Sequence, residues 1–174
     1  MRERVDHLRS LELGAANGRR DELIQGVLDG RVTGTAVPFA SYGVAYEEVE
    51  KIGELLAVTR DGERQGVVEV TDVVLHQLKA VPDEVVAREA GDQPADQWRE
   101  QRARDWEEAG TPSADTSEIV CVAFRLLDAD DVERVLADRD EDAVAQSDAE
   151  EQARRRGQES LREGGEVPTA PLNG

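Results

Sequence analysis

Cysteine is nearly absent: Cys121 stands alone, which excludes an intramolecular disulfide framework and any cysteine-based zinc ribbon. The two histidines, His7 and His76, have no cysteine or carboxylate cluster at ligand spacing beside them, so no metal and no other cofactor is expected. Positive charge is also short. Lys and Arg total 21 against 39 Asp and Glu, a formal balance of -18, and an acidic surface of that size repels phosphate backbones and anionic membranes unless a local basic pocket intervenes. No apolar run approaches 18 residues, and the start, MRERVDHLRS, lacks the form of a signal peptide. The expectation is a soluble, cytoplasmic protein with no membrane partner. Glycine-rich phosphate loops, nucleophile elbows and kinase signatures are missing as well, which leaves the familiar enzyme classes unsupported.

What is present suffices for one compact domain and a tail, since 174 residues exceed an ordinary single domain only modestly. Apolar segments recur up to Phe124–Leu127 and then nearly vanish, which places a boundary near Asp128. Residues 129–174 carry 6 basic and 13 acidic side chains, a balance of -7, and residues 1–128 carry the remaining -11. A tail so poor in large apolar groups has little burial to offset chain entropy. It is expected to be disordered apart from a charged helix around Asp148 to Arg162, and its acidity suits a basic protein partner.

Within residues 1–128 the pattern changes period repeatedly. DELIQGVLDG puts Leu23, Ile24, Val27 and Leu28 on one stripe, after an ANGR turn and before Gly30, predicting a helix over 20–29. RVTGTAVPF then reads as a short strand leaving that helix directly. Two β-branched runs flank Asp61-Gly62-Glu63-Arg64, predicting a hairpin over 54–75. PDEVVAREAG and PADQWREQRARDWEEAG each open on Pro with an acidic residue and close on Gly, the punctuation of two helices, and EIVCVAFRLL is a last strand. The order predicts a small α+β domain on a mostly antiparallel, partly closed sheet.

The run Leu11 to Ala36, the hairpin IGELLAVTRDGERQGVVEVTDV, the segment ADQWREQRARDW and the closing VCVAFRLL stand in an order that resembles the ASCH domain family. The resemblance spans about residues 11–128 and implies a PUA-like β-barrel with flanking helices. It also implies a ligand cleft at the helix-to-strand junction, where the family carries Gly-x-Lys-x-x-Thr. This chain has Gly30-Arg31-Val32-Thr33-Gly34-Thr35, so Gly30 and Thr35 match and the lysine position is Val32. In members that resemble N4-acetylcytidine amidohydrolases the Lys, the Thr and a strand Glu carry the chemistry, and that Glu corresponds to Glu69. An alkyl group has neither lone pair nor exchangeable proton, and Arg31, adjacent but pointing to the other face and permanently protonated, is a poor substitute. Relatives also read Trp-Arg-x-x-His and Glu-Arg-Phe where this chain has Trp98 to Arg102 and Val122 to Phe124.

Each candidate residue has a plain reading beside the functional one. Thr35 and Glu69 either line the cleft, as residual catalytic or ligand groups, or serve as a local backbone cap and an outward-facing strand carboxylate. Val68 and Val70 filling the core would favour the latter for Glu69. Trp98 and Arg102 share a helix face with Trp106, suited to stacking a base but more simply to packing the helix. Arg19 and Arg20, at the helix entry, can meet a phosphate or remain solvated. Cys121 reads as a packing residue. The expected function is a binding module for RNA or a nucleobase-like small ligand, using Arg19, Arg20, Gly30, Arg31, Thr35, Glu69, Trp98 and Arg102. The alternatives are an amidohydrolase of altered chemistry and an acidic protein-interaction domain. Lys51 or Lys79 beside Thr35 and Glu69 would restore the missing amine.

Overall fold

The computed structural model describes residues 4–5, 7–13, 19–42 and 49–137. Two compact units divide the chain, Met1–Asp128 and Ala129–Gly174. In the second, residues 129–137 are helical, with Arg134 pairing Asp131 one turn away at 2.8 Å. The charged segment around Asp148 to Arg162, and residues 16–18 of the ANGR turn, lie outside the described residues, while Arg19 of that turn opens the first helix.

The first unit is α+β. Its strands are β1 (Arg4–Val5), β2 (Leu8–Ser10), β3 (Gly34–Pro38), β4 (Leu55–Arg60), β5 (Glu63–Gln77) and β6 (Glu118–Leu126). Its helices are α1 (Arg19–Leu28), α2 (Asp83–Ala90) and α3 (Ala95–Glu108). The strands make one mixed sheet in the order β1-β2-β4-β5-β6-β3, antiparallel except where β2 runs parallel to β4. The central strand β5 is long enough to pair β4 through its first half and β6 through its second. Bulges at Val58/Thr59 and at Val70/Asp72 add the twist that such a shared strand needs. Asp61 (φ 51°) and Gly62 (φ 78°) both sit in the left-handed region, the requirement of a two-residue hairpin turn whose twist matches its strands.

Period-2 alternation sorts the strand side chains onto two faces. Val120, Val122 and Phe124 join α1 and the β4–β5 hairpin in one apolar cluster, while Ile119 and Cys121 join α2 and α3 in another. The first will be called the inner face and the second the outer. The sheet does not close on itself among the described residues, so the partly closed barrel expected from sequence is corrected to an open sheet. A physical reason is visible at β3. One edge pairs with β6, and on the other the Ala36 N–H donates to Glu89 Oε2 of α2 at 3.2 Å instead of to a strand. A helix covers the edge where a barrel would need a ladder. Near the far end of the sheet the Thr35 Oγ1 of β3 donates to the Glu12 carbonyl, 3.2 Å away, just past β2.

Candidate functional site at the α1–β3 junction

The junction is built by a left-handed turn. Gly30 adopts φ +72°, and its N–H donates to the Val27 carbonyl (3.0 Å). The Arg31 and Val32 N–H groups follow onto the Gly26 carbonyl (2.8 and 3.0 Å), so the last helical carbonyls are satisfied while the chain reverses. That reversal lays Val32 over α1: a Cβ at Gly26 would lie 2.6 Å from Val32 Cγ2. Val32 is 7% exposed and belongs to the inner core. Beyond it the Thr33 N–H donates to the Arg88 carbonyl (2.8 Å) and the Thr33 carbonyl accepts from Phe124 (2.9 Å), which ties the strand start to α2 and β6.

The polar residues expected to meet here are separated by the sheet. Thr35 pairs with Val122 and so lies on the inner face, buried, bonding main chain. Glu69 pairs with Arg125 across β6, half-buried on the opposite face, and its Oε2 accepts from Arg125 Nε at 2.8 Å. Val68 and Val70 fill the inner core on either side of it. Gly30 is exposed, and so is Arg31, which pairs with Asp29 at 3.2 Å. The Gln25 amide, with the Arg31 guanidinium, holds the Asp29 carboxyl below its ordinary range. Arg19 reaches Gln93 (3.5 Å). Arg20 lines a shallow polar groove of about 280 Å³ with Asp21, Arg60 and Asp61. Lys51 and Lys79 are exposed, and neither lines a described pocket.

Trp98 and Arg102 are each 1% exposed and already engaged. Trp98 Nε1 donates to Glu89 Oε1 at 3.1 Å, and Arg102 Nη2 forms a short ion pair with the same oxygen. Arg102 Nη1 lies 3.5 Å from Asp105 Oδ2, and the Trp98 and Trp106 rings meet edge to face at 6.5 Å. Glu89 thus collects an indole, a guanidinium and the Ala36 N–H, locking α3 and α2 to the edge of β3. Sequence reasoning missed Glu89. The one available signal was a buried-face carboxylate in α2, at Glu89 of VVAREA, preceding a helix with an arginine on its apolar stripe. Cys121, facing the same layer, has its thiol pushed up to about 12, first by burial and then by the Glu89 charge, with Arg88 opposing; this is not a thiolate nucleophile.

A model of the ASCH domain matches residues 10–128, more than half of the chain. The chain belongs to the ASCH domain family. Among solved structures, an ASCH domain from Lactobacillus crispatus JV V101 matches with a TM-score of 0.56 at 21% identity, covering 68% of this chain and 80% of that one. A protein from Enterococcus faecalis V583 matches with a TM-score of 0.53 at 24% identity, covering 62% of this chain and 68% of its own. At those identities the likeness carries the fold. No curated protein matches. In this ASCH domain, the Gly30-to-Thr35 signature therefore sits on a recognised scaffold with an alkyl side chain at its third position.

Proposed function

We propose that this ASCH domain is a binding module for a nucleobase-like ligand at the α1–β3 junction and that it performs no hydrolysis there. One observation carries the reading: Val32 is packed into the core over Gly26, while Thr35 and Glu69 occupy opposite faces of the sheet. Amide hydrolysis needs a base or nucleophile within hydrogen-bond reach of the reacting group, and these three side chains do not converge on a common point. Recognition needs less. The N–H groups of the turn are engaged within the chain, but the exposed Thr33 hydroxyl beside it can both donate to and accept from the edge of a base. The same base chemistry is available in a free nucleoside and in single-stranded RNA. A formal charge of -18 favours the uncharged nucleoside, because each phosphate added to the ligand adds repulsion.

Amide chemical-shift titrations of the full chain with cytidine, uridine, adenosine and guanosine, and with a short single-stranded RNA, test this. Saturable shifts at Gly30 to Thr35 with at least one nucleoside are expected, with weaker binding of the RNA at equal salt. N4-acetylcytidine should survive incubation with the protein, and Val32→Lys should fail to start its hydrolysis, since Glu69 stays on the far face. Turnover by the unmodified chain that Glu69→Gln abolishes would establish the amidohydrolase instead. No shift with any nucleoside or RNA would leave the acidic interaction domain as the better reading.

A further inference from the structure

A second recess lies on the outer face, between α2 and the strands β3, β5 and β6, with a volume of about 220 Å³. Its floor follows from strand register. Asp72 pairs with Ala123 and Val74 with Cys121, so these four side chains and His76 project to one side. Its roof is the α2 face carrying Glu84, Val85 and Arg88, one turn apart. Gly34 sets the spacing: a Cβ there would lie 3.0 Å from Arg88 Cβ and 3.1 Å from the Val122 carbonyl, so any larger residue would push the helix and strand apart by a few tenths of an ångström.

The charged groups of this recess are unspent. Arg88, Glu84 and His76 make no side-chain hydrogen bond or ion pair among the described residues, and Asp72 uses only Oδ1, which accepts from the Val73 N–H at 3.0 Å. In a chain this short of cations, the half-buried Arg88 left without a carboxylate, with the half-buried Asp72 and the exposed Glu84 in the same recess, asks for a ligand that carries both signs. Val74, Val85 and Ala123 supply an apolar wall. The two carboxylates disfavour a phosphate, and the guanidinium disfavours a metal ion. The volume falls below the roughly 300 Å³ at which drug-sized ligands begin.

We propose that this recess binds an amino-acid-like zwitterion with an aliphatic side chain, its carboxylate on Arg88, its ammonium on Asp72 and Glu84, and its hydrocarbon against Val74 and Val85. The recess borders the junction and shares Gly34 and Thr35 with it, so the Val74 and Ala123 amides, which lie outside Gly30 to Thr35, distinguish binding here from binding of a nucleoside there.

Leucine serves as the probe, titrated into the full-length isotope-labelled chain. Isovalerate and isoamylamine, which keep the branched hydrocarbon and one charged end each, serve as the paired controls. Saturable shifts at the Val74 and Ala123 amides are expected with leucine. Each single-ended control should bind about tenfold more weakly, and Arg88→Gln and Asp72→Asn should each weaken leucine about tenfold. Absence of saturable shifts at those amides overturns the proposal, as does isovalerate or isoamylamine equalling leucine. Leucine affinity unchanged in a folded variant of either residue overturns it too. Thermal melts establish which variants are folded, and if neither is, the comparison of leucine with its two controls decides.

Discussion

At the scale of single residues, the most consequential side chain is Glu89. Its carboxylate is buried, and three donors from two elements, β3 and α3, converge on it. Removing one member of a buried ion pair leaves its partner charged and unsolvated, at a cost of about 3–5 kcal/mol. Arg102→Ala is therefore expected to lower the urea midpoint by that amount of stability, and Arg102→Lys to recover only part of it, because a compact ammonium cannot reproduce the planar fork. Cys121 supplies a pH signature. Its thiol, ordinarily near 9.0, is pushed up to about 12 in the folded state, so the folded chain holds this proton where the unfolded chain releases it. The stability from this group is fully present below pH 9.0 and is lost as pH rises through the window from 9.0 to about 12. Unfolding free energy measured by urea denaturation from pH 8 to 10.5 should fall with pH less steeply in Cys121→Ala than in the unmodified chain. Trp98 and Arg102 were visible from sequence as one helical face, but what occupies that face was not, because Glu89 approaches from another helix.

At the scale of elements, the α1–β3 junction depends on a mutual fit between Gly26 and Val32. Glycine inside a helix ordinarily costs about 1 kcal/mol relative to alanine, so Gly26→Ala would be expected to stabilise an isolated α1. Here the added Cβ meets Val32 Cγ2 at 2.6 Å, and overpacking of that kind costs about 1–3 kcal/mol. Net destabilisation of Gly26→Ala is expected. In Gly26→Ala/Val32→Ala the clash should be relieved, so that a double-mutant cycle by thermal or urea unfolding returns a coupling of about 1 kcal/mol or more. Most elements were legible in the chain. The α1 stripe, the Asp61-Gly62 turn, the Pro-to-Gly frames of α2 and α3 and the apolar run of β6 are local signals, and the structure has each within a residue or two of its expected place. The short strands β1 and β2 were not legible. Two and three residues cannot show a period, and the parallel pairing of β2 with β4 is a contact between segments about 47 residues apart.

For the whole molecule, Met1–Asp128 is a compact unit with apolar cores of its own, and residues 129–174 carry few large apolar side chains to bury. Deleting residues 129–174 is therefore expected to leave the melting temperature of the remainder within a few degrees, read by circular dichroism, while removing 7 of the 18 net negative charges. A large drop would show that the acidic segment contributes to the fold. The sequence by itself determined the class of fold, the α1–β3 junction with Gly30 in the left-handed region, the family, and the absence of an amine at the third signature position. Each is either a short-range periodicity or a fact of composition, and neither requires knowing what lies across the sheet. Only the tertiary structure decided which face each strand residue takes, and with it that Thr35 and Glu69 are kept apart. It also decided that α2 covers the free edge of β3 in place of barrel closure, and that Arg88 and Asp72 share a recess. Those outcomes rest on ladder register and helix docking, where a shift of one residue exchanges inside for outside and no local stretch of chain records the choice.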